Sequence, residues 1–192
     1  RANWRQYWLV DPLDGTGEFI AGSGDFATLI ALVRDNVPVL GVIYAPESDL
    51  LYWAVRGHGA FKEANGESRP ISAIHHEHDQ PDSLVVAISR RQKLENLTRR
   101  LNPAIHYELI PLGSSSLKSC LVAEGVADCY VRLGPTGEWD TAAAQCIVEA
   151  AGGRILSLAL QPLSYNETES LENPDFIVMG DPDLAWGRIL AH

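Results

Sequence analysis

Trp8-Leu9-Val10-Asp11-Pro12-Leu13-Asp14-Gly15-Thr16 is the stretch from which the rest of the chain can be read. An apolar run ends in two aspartates three positions apart, with a proline between them and Gly-Thr behind. The run reads as a buried strand. Pro12 fixes its own φ and has no N–H, so it is expected to end the strand ladder there. Carboxylates at the end of a buried strand are costly unless a cation neutralises them, and a divalent metal does so well. The bend can turn Asp11, the Leu13 carbonyl and Asp14 toward one point. That all-oxygen set suits Mg²⁺. Gly15 and Thr16 would then offer backbone N–H groups and a hydroxyl beside the metal, an arrangement suited to cleaving a phosphate ester. The competing reading is a pair of turn aspartates capping local N–H groups.

Around this stretch the chain reads as two parts. In residues 26–72, strand-like runs alternate with Asp35-Asn36, Asn65-Gly66 and other turn signals, which predicts an antiparallel sheet. After a polar stretch at 75–81, strands at 84–88, 107–112, 127–133, 154–160 and 176–179 alternate with helices at 91–101, 116–124, 139–151 and 184–191. We therefore expect an α/β chain divided near residue 80 into an antiparallel part (1–80) and an α/β part (81–192).

Composition narrows the function classes. The formal charge of −10 argues against a nucleic-acid duplex or an anionic membrane surface as main partner, but not against a small phosphorylated substrate. Hydrophobic residues at 46% and charged residues at 21% are ordinary for a globular protein. Cys120, Cys129 and Cys146 are odd in number and sit in apolar surroundings, which reads as reduced, buried thiols of a cytoplasmic protein. No apolar stretch reaches membrane-spanning length, and no signal peptide is recognisable.

Further candidate groups lie downstream. Asp140, in Glu138-Trp139-Asp140-Thr141-Ala142-Ala143-Ala144, would sit in the first turn of a helix, where an aspartate is favoured by the dipole alone. The three alanines let that helix approach a neighbour closely. With Asp11 and Asp14, Asp140 could complete a carboxylate cluster for two metals. Gly113-Ser114-Ser115-Ser116 opens another helix, where serine is a favoured N-cap and where an anion can also bind. Arg132 could hold a second phosphate, although a lone arginine is more often a surface charge. The His75-His76-Glu77-His78 run lacks the helical spacing of a zinc site and reads as an exposed loop. The Asp-x-x-Asp spacing excludes the phosphatases that use Asp-x-Asp, and no Gly-x-x-x-x-Gly-Lys-Ser/Thr loop is present.

Asp-Pro-Leu-Asp-Gly-Thr at 11–16, Trp-Asp-Thr-Ala-Ala at 139–143 and Glu-Ala-Ala-Gly-Gly at 149–153 resemble the motifs of the inositol monophosphatase superfamily of lithium-sensitive, magnesium-dependent phosphatases. Within it, residues 41–46, 113–125, 132–136, 162–165 and 171–174 are most similar to the CysQ-type 3′(2′),5′-bisphosphate nucleotidases. The resemblance implies a layered αβαβα sandwich and hydrolysis of adenosine 3′,5′-bisphosphate to AMP. It implies Mg²⁺, two or three per site, held by Asp11, the Leu13 carbonyl, Asp14 and Asp140. Leu13, Asp14, Gly15, Thr16 and Asp140 would contact the substrate phosphate, with Ser114 and Arg132 also on the substrate. Asp11 and Thr16 would serve the chemistry, Thr16 by orienting or activating water.

Two departures accompany the resemblance. The family's Glu-Glu metal motif lies upstream of the Asp motif, and Glu18 is on the wrong side to replace it. We therefore expect an N-terminally truncated sandwich, inactive or nearly so by itself, whose exposed sheet edge is covered by a missing segment or a partner chain, such as a homodimer mate. Gly17 stands where bisphosphate nucleotidases often carry lysine. Alternatives are an inositol-phosphate or sugar-phosphate phosphatase, or a non-catalytic metal- or phosphate-binding module. A cytoplasmic location, with peripheral attachment to the inner membrane as a variant, is the matching expectation.

Overall fold

A computed structural model describes residues 1 and 3–190. The first half forms one six-stranded antiparallel sheet in chain order: β1 (Gln6–Asp14), β2 (Ala27–Arg34), β3 (Val37–Ala45), β4 (Leu50–Val55), β5 (Ala60–Ala64) and β6 (Glu67–Ile71). A short helix, α1 (Thr16–Ala21), links β1 to β2. The turns follow their residues: Asp35 and Asn36 both take positive φ, as do Asn65 and Gly66, the conformation that two-residue hairpins need.

The second half opens with β7 (Ser83–Ser89), a short α2 (Leu94–Thr98) and β8 (His106–Leu112). Then come α3 (Ser115–Ala123), β9 (Cys129–Arg132), β10 (Thr136–Gly137), α4 (Glu138–Ala150), β11 (Arg154–Ser157), β12 (Glu172–Asn173), β13 (Phe176–Met179) and α5 (Trp186–Ile189). Five of these strands make a mixed sheet in the order β11-β13-β9-β7-β8, with β7 parallel to both β8 and β9. The layers run from the first sheet to α3 and α4, then the second sheet, then α2 and α5. Ala27, Leu29, Ile43 and Tyr52 pack with Val122, Ile147 and Val148 in the inner core. Leu84, Ile177, Leu97, Trp186 and Ile189 fill the outer one.

The alanine run works as its composition suggested. A Cβ at Gly41 of β3 would lie 2.4 Å from the Ala143 carbonyl, so α4 rests directly on the sheet backbone. Three expectations need correction. β1 is an edge strand, paired only with β2, and its alternate residues Trp8 and Val10 are 58% and 51% exposed. The period-two pattern buries one face only, because among the described residues no further layer packs on the outer face of this sheet. Pro12 also does not end the strand. The β1–β2 register shifts between Asp11 and Asp14 and pairing resumes at Asp14↔Ala27, so the chain bulges around the proline. Finally, α2 spans only Leu94–Thr98, with its last bonds running into tight turns before Asn102. The last helix, expected over 184–191, is also shorter: it runs Trp186–Ile189, and Leu190 is extended and bridges Leu101, while residue 191 lies outside the described residues.

Candidate metal centre

The bulge in β1 and the first turn of α4 bring Asp11, Asp14 and Asp140 together: each offers an oxygen within 4.8 Å of the others. The bulge re-aims side chains that a regular strand would send to opposite faces. Asp11 is fixed by its own turn, where Oδ1 accepts from the Leu13 N–H at 3.0 Å. The Thr16 hydroxyl, which is exposed, donates to the Leu13 carbonyl at 3.1 Å. Gly15 takes φ +84°, and a Cβ there would lie 2.9 Å from the Asp25 carbonyl, so the turn into α1 requires glycine.

Asp14, 7% exposed, is the most buried of the three. Its Oδ2 accepts from the Ser116 hydroxyl at 2.6 Å, the Ser116 N–H at 3.1 Å and the Ser114 hydroxyl. All three donors meet one oxygen, which leaves the other for a ligand. Ser114, 1% exposed, also accepts from the Leu117 N–H as N-cap of α3. Its hydroxyl is thus committed to Asp14 and the helix, and the geometry gives no support to the expected substrate contact.

Asp140 accepts from the Gly137 N–H at 2.6 Å, which caps α4 and aims the carboxylate. The start of α4 is pinned from behind. Asn173 of β12 donates to the Gly137 carbonyl at 2.7 Å, and the Tyr165 hydroxyl bonds Thr141 and Gln145 at 3.1 and 2.7 Å. Burial, then the charges of Asp14 and Asp11, push Asp140 up to about 6 against the opposing Gly137 bond. Asp11 is raised as well, first by burial. Three crowded carboxylates, oxygen donors throughout, fit a hard divalent cation that offsets their repulsion.

Beside Asp140 opens a cavity of about 470 Å³ walled by Pro135, Thr136, Trp139, Leu171 and Glu172. Arg132, at the end of β9, keeps a buried Nε without a hydrogen-bond partner, and its Nη2 reaches the Pro135 carbonyl only at 3.4 Å. Glu18 pairs with Arg91 and Ser23 and does not join the acidic cluster. The histidine run serves as an anchor: His76 meets Asp128 at 2.8 Å, and its N–H donates to Asp181.

Sequence reasoning named Ser116 as part of a helix start but missed its hold on Asp14, and it missed Lys118 altogether. Lys118 lies buried at 1% exposure, donating to the carbonyls of Leu112, Gly113 and Ser114 at 3.2, 2.7 and 2.7 Å above the Tyr130 ring. It closes the turn that carries both serines. Burial pushes its ammonium down to about 7 against the pull of Asp14. One signal was available: a lysine in the first turn of a helix sits at the end the dipole disfavours.

The sequence pattern of the inositol monophosphatase family matches residues 2–181. The chain is 45% identical over 189 residues to the 3′(2′),5′-bisphosphate nucleotidase CysQ of Aggregatibacter actinomycetemcomitans, covering 98% of this chain and 70% of that one. It is 44% identical over 178 residues to the CysQ of Escherichia coli K12, covering 93% and 70%. The crystal structure of CysQ from Bacteroides thetaiotaomicron superposes with a TM-score of 0.82 at 40% identity, over 94% of this chain and 72% of that one. An inositol monophosphatase from Zymomonas mobilis superposes at 0.74 with 29% identity, over 95% and 68%.

Proposed function

The chain belongs to the inositol monophosphatase family, and on that premise we propose that it is a Mg²⁺-dependent phosphomonoesterase acting on the 3′-phosphate of adenosine 3′,5′-bisphosphate. The observation that carries the reading is the convergence of Asp11, Asp14 and Asp140 from two distant segments. The relatives' names, 3′(2′),5′-bisphosphate nucleotidase, supply the substrate class, and the family resemblance of the motifs implies the adenosine. In support, the cavity beside Asp140 has the size and the aromatic wall, Trp139, to take a nucleoside.

In this reading Asp11, the Leu13 carbonyl, Asp14 and Asp140 would hold Mg²⁺. When bound, the ion supplies positive charge for the phosphoryl oxygens and lowers the pKa of water. Thr16 orients the attacking water: its hydroxyl donates a hydrogen bond to the Leu13 carbonyl and keeps lone pairs to accept from that water. Gly15 and Thr16 N–H groups face the reacting phosphate, while the Arg132 guanidinium, whose Nη2 is held only by the Pro135 carbonyl at 3.4 Å, turns toward the second one. Ser114 and Ser116 act through Asp14, holding one oxygen so that the other keeps a fixed direction. In-line attack of water on phosphorus breaks the bond to O3′; one proton of the water goes to O3′, which leaves as the ribose hydroxyl, and the other stays with the released phosphate, giving AMP and inorganic phosphate. We propose the division near residue 80 as well, which would put the metal motif in the first part and Asp140 in the second.

The test is preference, read both as binding and as phosphate release with Mg²⁺. Adenosine 3′,5′-bisphosphate should bind at least tenfold tighter than inositol 1-phosphate and be the better substrate. A clear preference for inositol 1-phosphate would overturn the nucleotide assignment and leave the metal chemistry standing.

A further inference from the structure

The space beside Gly17, in the first turn of α1, is filled from the other half of the chain. A Cβ at Gly17 would lie 2.6 Å from Nη1 of Arg91, which follows β7 in the other half of the chain. Arg91 Nη2 donates to the Gly17 carbonyl at 2.7 Å, and Nε lies 3.0 Å from Glu18 Oε1. The other Glu18 oxygen accepts from Ser23 at 2.7 Å, so the carboxylate is fixed on both sides. Next to Arg91, Arg90 pairs with Asp25, and that same Asp25 oxygen accepts the Gly113 N–H at 2.9 Å. Gly113 opens the turn whose serines hold Asp14. A Cβ on Gly113 would lie 2.5 Å from Glu18 Cγ, so the two segments touch backbone to side chain.

We propose that Arg91 is a positioning residue for the metal-binding motif: from the second half of the chain it occupies the space open at Gly17 and fixes α1, and Thr16 with it, against the turn that holds Asp14. The proposal rests on reading the three aspartates as a divalent cation site. An exposed ion pair alone contributes little. Arg91 contributes direction, because its planar fork meets a carboxylate and a carbonyl at once. A longer side chain at 17 and this guanidinium cannot share the space, so Gly17 and Arg91 form a matched pair.

The pair is testable with Mn²⁺ as probe, its free concentration followed by electron paramagnetic resonance, in G17A, R91A, G17A/R91A and G17K/R91A. R91A should weaken Mn²⁺ binding by up to about tenfold, the low end for residues behind metal ligands. G17A should do the same, since its methyl displaces the guanidinium, yet cost nothing further once Arg91 is gone. G17K/R91A, which returns a cation from α1 itself, should recover most of the affinity. Urea midpoints of the same four variants report whether any loss is mere unfolding. Mn²⁺ uptake indifferent to Arg91, or strictly additive losses in G17A and R91A, would overturn the positioning role. Absence of uptake by the unaltered chain would instead overturn the metal reading beneath it.

Discussion

At the scale of single residues, Asp14 shows how the site divides its labour: one oxygen receives three donors from the 113–116 turn and the other remains available. Lys118 holds that turn from inside, and its displaced pKa makes a prediction. Its folded value, about 7, lies below the ordinary 10.5, so between those values the unfolded chain keeps a proton that the folded chain has released. Stability must therefore rise with pH across that window through this group, and its full penalty is present below about pH 7. Urea midpoints of the unaltered chain and Lys118→Met should diverge in favour of the unaltered chain from pH 7 to 9. A pH-independent difference would show that the lysine stays charged. Asp11 and Asp14 were legible because strand, proline and spacing are local, and Asp140 because it opens a helix whose alanines mark a close contact. The roles of Ser116, Lys118 and Arg91 were not, because each acts on a segment it meets only after folding.

At the scale of elements, the close approach of α4 to β3 sets where Asp140 stands. Gly41 has no room for a methyl group, since its Cβ would meet the Ala143 carbonyl, which is backbone and cannot turn aside. Gly41→Ala should cost about 1–3 kcal/mol in urea unfolding, as an overpacked core contact does. A neutral outcome would mean that α4 can shift, and with it Asp140. The alanines of α4 announced this contact in the sequence, but their partner at Gly41 did not. Hairpins were legible from Asp35-Asn36 and Asn65-Gly66, whose side chains tolerate positive φ. β1 was misread as buried because apolar residues on both faces look the same in sequence whether or not a layer covers them. The two-residue pairing of β10 with β12 carries no periodic signal at all, although it pins the start of α4.

At the scale of the whole molecule, the centre exists only because two sheets and the helices between them bring residues 11–14 and 140 together. Crowded carboxylates in a chain of net charge −10 store repulsion that a divalent cation relieves. A ligand that binds only the folded chain stabilises it by about 2.7 kcal/mol at a hundred times its Kd. For a chain of this size that amounts to about 5–10 °C in Tm. The most direct measurement is thermal unfolding of the unaltered chain, Asp14→Asn and Asp140→Asn across a Mg²⁺ titration at pH 7.5. The account predicts a saturable rise in Tm for the unaltered chain, lost in both variants, and a higher starting Tm for Asp140→Asn where one charge has been removed. The same Mg²⁺ response in all three proteins would contradict it.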